Sequence, residues 1–299
     1  MRVSYAPGYY APIQEDHVFP MRKFEQLHRY LLDTGTLRDM DVITPRQADY
    51  KELSLVHTDY YLSGILDGQL TRKEERRLGL PWSPGLATRS RLAVQGTMNA
   101  AMMALQDGVA GNLAGGTHHS MPNHGEGFCV FNDVAIAIRS LRRSMWINKV
   151  MVIDCDVHQG NGTAHIFADD PNVFTFSLHG EKNYPFRKPP SSLDIGLPDK
   201  TGDTDYLKTL EEALDTIFSR FQPDIVFYLG GIDPLEADHF GRLSLTLKGL
   251  RNREETVIRY VKGKNIPLLL LLSGGYAPTV AETARAHAQM FEVATEVYG

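Results

Sequence analysis

The 299-residue chain has only two cysteines, Cys129 and Cys155, and they form no closely spaced framework. That excludes a disulfide-held scaffold and points to free thiols in a reducing compartment, where both serve as small buried apolar side chains. An excess of basic residues is also missing: 31 Lys and Arg stand against 36 Asp and Glu, for a net charge of −5. There is therefore no electrostatic case for direct binding to nucleic acid or to an anionic membrane, whereas a cationic substrate would not be repelled. The run "IPLLLLLSGGY" (266–276) is far too short to span a bilayer, and "MRVSYAPGYYAP" has no apolar leader core. Repeats, low-complexity tracts and Pro/Gly/Ser linkers are absent too. The expectation is one domain over residues 1–299, soluble and cytoplasmic.

Short apolar runs are present at 148–156, 172–178, 224–231 and 266–275, rich in β-branched residues and leucine. They read as strands buried on both faces, which belong to a mostly parallel sheet. Amphipathic patterns at 91–108, 130–144, 205–221, 247–263 and 279–299 read as helices alternating with them. The fold class is therefore α/β, a parallel sheet with helices on both faces. Such sheets bind ligands outside the carboxyl ends of their strands. Three of the runs end in unusual polar stretches: "DCDVHQGNG" (154–162), "GGIDPLEAD" (230–238) and "SGGY" (273–276).

Asp154, Asp156 and His158 alternate, so continued extended chain would put all three on one side. Carboxylate with imidazole suits Zn²⁺ or Mn²⁺, although a solvated turn with Asp154 as a helix cap would read the same way. Asp233 adds a carboxylate from another strand end, and three protein ligands leave positions open for water and substrate. Tyr276 taken alone is a turn tyrosine; beside a metal its hydroxyl could steady an oxyanion. Gly274 and Gly275 would let the backbone approach a ligand. The pair His118–His119 is the remaining oddity, because adjacent side chains on an extended strand point to opposite faces. In a glycine-rich loop they read as two groups serving one reaction centre.

With "GGTHHS", "GFCVFND", "DCDVHQGNG", "GGIDPLEADHFGRLSLT" and "SGGY" in this order, the chain resembles the zinc-dependent histone deacetylases of the arginase/deacetylase superfamily. The likeness extends over nearly the whole chain, including "SYAPGYYAP" and "VHTDYYLSGI", and resembles class IV most closely, with a bacterial source expected. The resemblance implies that Asp156, His158 and Asp233 bind Zn²⁺. It implies that His119 is the general base, that His118 is its electrostatic or general-acid partner held by Asp154, and that Tyr276 polarises the acyl carbonyl. Phe128 and Gly127 would line an acyl-lysine tunnel, with Tyr184 or Phe186 opposite and Gly275 nearby. Arg22 would match a basic residue near an internal product channel, although a surface arginine is the stronger reading. K⁺ would bind at an inner site (Asp154, Asp156, His158, Ser177, Leu178) and an outer one (Phe167, Asp170, Val173).

Asn161 stands where class I enzymes place an aspartate against the second histidine. A neutral amide stabilises an imidazolium less, so His119 should stay neutral more readily, as suits a base. The expected activity is metal-assisted hydrolysis of an N-acyl-lysine amide in a protein. The competing substrates are an acetylated polyamine and a long-chain fatty-acyl lysine; a catalytically dead acyl-lysine reader is the non-enzymatic alternative. An arginase-like two-manganese site is disfavoured by Gln159 and Asn161, which replace further aspartates.

Overall fold

The computed structural model describes residues 1–14 and 16–299. Among these residues eight strands, β1 Arg2–Ser4, β2 Val42–Ile43, β3 Val109–Asn112, β4 Val150–Asp154, β5 Val173–Gly180, β6 Leu193–Leu197, β7 Ile225–Leu229 and β8 Leu268–Leu271, form one sheet. Its order is β2-β1-β3-β8-β7-β4-β5-β6, and every pairing is parallel. The central strands β4, β7 and β8 are buried at every residue, whereas edge strand β6 alternates exposed and covered positions. The four apolar runs are thus strands, as their burial on two faces requires. The other four lack a continuous apolar run: β1 and β2 have only three and two residues, β3 reads VAGN, and edge strand β6 alternates.

The helices are α1 Lys23–Asp33, α2 Tyr50–Leu53, α3 Asp59–Leu66, α4 Arg72–Leu78, α5 Pro84–Asp107, α6 Asp133–Arg143, α7 Asn161–Ile166, α8 Asp203–Arg220, α9 Leu247–Gly263 and α10 Val280–Tyr298. The starts are chemically marked. Ser83 caps α5 ahead of Pro84, Thr246 caps α9, and Thr279 with Glu282 forms a capping box on α10. α5 packs against α6 in one layer, while α8, α9, α10 and α1 lie side by side in succession in the other.

Chain order reverses at the centre of the sheet. From β4 the chain steps outward to β5 and β6, then returns to β7 on the other side of β4 and steps outward again to β8. The loops after β4 and β7 therefore diverge at a topological switch point, which opens a crevice at their carboxyl ends.

A fully buried arginine on α9 ties those two loops together. Arg253 Nη1 donates to the carbonyls of Cys155 (3.1 Å) and Gly231 (2.7 Å), and Nη2 donates to Glu254 (2.5 Å), whose other oxygen accepts from the Tyr228 hydroxyl. Removing one member of a buried ion pair strands the other. Arg253→Met is expected to destabilise the fold by about 3–5 kcal/mol. The double change Arg253→Met with Glu254→Met should recover most of that loss in denaturant unfolding.

Candidate active site

The histidine pair lies in the loop between β3 and α6, residues 113–132. Asp133, at the start of α6, gathers the loop by accepting from the backbone N–H of Gly116 (3.1 Å) and Thr117 (2.8 Å) and from the Thr97 and Thr117 hydroxyls. Gly115 and Gly116 are both left-handed, and a Cβ on Gly116 would fall 2.8 Å from the Ser273 backbone nitrogen. That bend removes the strand-like alternation, so His118 and His119 reach the same place with Nε2 atoms 3.2 Å apart.

Each imidazole is held from behind by a different group. His118 Nδ1 lies 2.7 Å from Asp154 Oδ2, and His119 Nδ1 lies 2.6 Å from Asn161 Oδ1. Burial lowers the His118 pKa, but the carboxylates of Asp154 and Asp156 outweigh it and raise it to about 9. His119 moves the other way, held well below the usual imidazole range by burial and by the neighbouring His118 and His158. Side by side, the two rings are therefore shifted in opposite directions, His118 towards imidazolium and His119 towards the neutral form.

Asp156, His158 and Asp233 converge beside the pair, with one ligand atom from each within 4.8 Å of the others. His158 Nδ1 lies 3.1 Å from Asp156 and 3.2 Å from Asp233. Both carboxylates are buried, and backbone N–H groups orient them: Val157 donates to Asp233 (2.9 Å), while His158 (2.9 Å) and Gly274 (2.6 Å) donate to Asp156. Burial and the charge of Asp156 push Asp233 up; against burial, His118 and His158 pull Asp156 down. Burial also lowers His158, but its bonds to Asp156 and Asp233 win and raise it to about 10. Two buried carboxylates and an imidazole aimed at one point need a cation between them. These three residues could hold a divalent metal.

The cluster opens into a cavity of about 330 Å³ lined by His118, His119, Gly127, Phe128, Tyr184, Phe240, Gly274 and Tyr276. A Cβ on left-handed Gly127 would lie 2.5 Å from the His119 ring, so the wall closes directly on that imidazole. Tyr184 stands edge-on to His119, with centroids 5.1 Å apart. Burial, with the charges of Asp233 and Asp156, keeps the Tyr276 hydroxyl far above its ordinary pKa and hence a donor.

Several sequence expectations need correction. Phe186 is 94% exposed and does not line the cavity; of the two candidates Tyr184 does. Gly274, not Gly275, faces the site, because Gly275 packs against Ile232 and His287. β4 ends at Asp154, so the alternation stops there: Asp154 turns to His118, and only Asp156 and His158 meet Asp233. Arg22 is a surface residue 3.7 Å from Glu25, its side chain 58% exposed. The cations at the cavity's inner end are instead the buried Lys23 and Arg89, beside Phe19 and Phe24. Burial lowers Lys23 to about 8, although Asp233 and Asp156 resist the shift. Nothing in the local sequence marks Lys23, at the start of α1, or Arg89, within α5, since neither belongs to a motif.

The remaining expected groups are brought together in two sets. Asp154 and Ser177 are register partners across β4 and β5, with Leu178 next, and the Ser177 hydroxyl is bonded to His179 Nδ1 at 3.0 Å. Phe167, Asp170 and Val173 share the turn after α7, where Asp170 N–H donates to Phe167 O and Val173 N–H to Asp170 O. Both cysteines are free and buried. Among the described residues no helix is long and apolar enough to cross a membrane.

Comparison with known proteins finds the histone deacetylase domain across residues 17–293. An uncharacterised protein of Picosynechococcus sp. is 43% identical over 99% of this chain and 99% of its own length. Histone deacetylase 2 of Arabidopsis thaliana is 32% identical over 90% of this chain and 72% of its own. The crystal structure of an HDAC homologue from Aquifex aeolicus superposes with a TM-score of 0.82 at 26% identity, covering 98% of this chain and 83% of that one.

Proposed function

The chain belongs to the histone deacetylase family, and from that premise we propose that it is a zinc-dependent hydrolase that removes acyl groups from the side-chain nitrogen of acyl-lysine. One observation carries the reading: the unequal histidine pair, the three-ligand cluster and the Tyr276 hydroxyl share one aromatic-walled cavity. Zn²⁺ held by Asp156, His158 and Asp233 would supply Lewis-acid polarisation of the acyl carbonyl and would acidify water.

The chain's own groups do the rest. Phe128 and Tyr184 flank the apolar stem of the lysine and exclude water from it. His119, neutral and with Nε2 free to accept, takes the proton from the attacking water. Tyr276 donates a hydrogen bond to the oxyanion that forms on the carbonyl. His118, charged through Asp154, delivers its Nε2 proton to the departing amine. Lys23 and Arg89 at the inner end favour the carboxylate product. K⁺ is the cation proposed for the Ser177–Leu178 and Phe167–Val173 positions.

The test is hydrolysis by the zinc-loaded protein across acetyl-lysine peptides, long-chain acyl-lysine peptides and acetylpolyamines. Cleavage of an acyl-lysine peptide is expected, and cleavage of none of the three classes would overturn the reading. Tyr276→Phe should lower kcat about 10²- to 10³-fold with little change in KM, because the lost hydrogen bond matures only in the transition state.

A further inference from the structure

Asn161 raises a question that its contact with His119 leaves open. An amide can present either end, and presenting its NH₂ to His119 would force the wrong tautomer on the base. On its far side Asn161 meets Glu126, with Nδ2 2.6 Å from Oε1. An ionised carboxylate only accepts, so the NH₂ end of Asn161 must face Glu126 and the carbonyl end must face His119. His119 must then carry its proton on Nδ1, which leaves Nε2 as the lone pair turned to the reaction centre. Glu126 is ionised, as this arrangement requires. Burial would raise its pKa, but hydrogen bonds from His124, Tyr184 and Asn161 bring it down to about 2. Its other oxygen lies 3.2 Å from His124 Nε2, which leaves Oε1 for Asn161.

We propose that Glu126 is a positioning residue that sets the orientation of the Asn161 amide and, through it, the tautomer of His119. The result is an ordered relay behind the base, in which His119 Nδ1–H donates to the Asn161 carbonyl and the Asn161 NH₂ donates to Glu126, with Nε2 of His119 left to the reaction centre. Glu126 does not line the cavity. The inference rests on the reading of His119 as the base. It also explains how a neutral residue at position 161 can do what a carboxylate does without help, since a carboxylate has no end to choose.

Four variants, Glu126→Leu, Glu126→Gln, Asn161→Asp and the double Glu126→Leu/Asn161→Asp, test this with two independent readouts. Two-bond ¹H–¹⁵N spectra of ¹⁵N-histidine protein, with His119 identified by its loss in His119→Ala, report the tautomer without needing any substrate. The wild type should show His119 as the Nδ1–H form, and Glu126→Leu should show a mixture. On the substrate that the wild type cleaves, Glu126→Leu should lower kcat about 100-fold, with KM and zinc affinity within about threefold. Glu126→Gln, which can still offer an acceptor oxygen, should lose about tenfold or less. In the Asn161→Asp background the leucine change should cost nothing further. A single Nδ1–H tautomer in Glu126→Leu, or an equal loss in both backgrounds, would overturn the proposal and leave Glu126 a merely structural turn residue. If the wild type cleaves no acyl-lysine, the functional reading fails while the spectra still decide the role of Glu126.

Discussion

Asp233→Asn should abolish both metal binding and amide hydrolysis while leaving the metal-free protein at least as stable as the wild type. The two effects have one cause. Asp233 and Asp156 are fully buried, and both lie against the same imidazole nitrogen. Burial and, after it, the charge of Asp156 push Asp233 up. Asparagine keeps an oxygen for the Val157 N–H but removes one of the two charges, so the repulsion disappears together with the ligand. Affinity for Zn²⁺ should fall by more than the roughly 100-fold that changes behind a ligand produce. In the wild type, zinc at 1,000 times its Kd should add about 4 kcal/mol of stability; in the variant, melting should ignore zinc. Affinity should also rise with pH through neutrality. His158 and Asp233 hold protons in the metal-free protein, and binding must displace them, so less free energy is spent on deprotonation as pH increases. Calorimetry at pH 6 and pH 8 in buffers of different ionisation enthalpy measures both the affinity and the protons released. Equal affinity at the two values would sink the protonation argument.

His119→Ala should lower kcat about 10³- to 10⁴-fold with zinc affinity unchanged, the upper range for loss of a positioned base. His118→Ala should cost less, about 10²-fold, and should fall hardest on substrates with the poorest leaving amines. The asymmetry follows from what stands behind each ring. Asp154 is ionic and holds His118 as an imidazolium; Asn161 is neutral, and its bond to His119 does not offset burial and the nearby positive rings. A charged His118 has no lone pair with which to accept the water's proton. A neutral His119 has one. If His118→Ala proves the more damaging change on an activated ester or aryl amide, where the leaving group needs no proton, the assignment of the two roles is reversed.

Much of this molecule is legible in linear order. The buried strands β4, β5, β7 and β8 announce themselves because a strand covered on both faces must be apolar throughout. Asp156, His158, Asp233 and Tyr276 stand out because they are polar residues at the ends of such runs, and the histidine pair because it is a tandem in a glycine-rich loop. The wall and the inner end of the cavity were harder. Tyr184 and Phe186 are two residues apart in an irregular loop with no period to tell inward from outward, and one lies in the cavity while the other is in solvent. Lys23 reaches Ser273 across 250 residues, and Glu126 reaches Asn161 across 35. Neither contact leaves a mark in local sequence, because a buried lysine and a surface one occupy the same kind of helical position.

The sequence by itself determined the parallel sheet, its crevice and the chemical types gathered at it, because burial and backbone geometry impose periods that are read locally. Only the tertiary structure decided which of Asp154, Asp156 and His158 meet Asp233, which cations close the cavity, and that Glu126 meets the amide of Asn161. Those are matters of where separate segments converge, and convergence is set by packing over the whole chain.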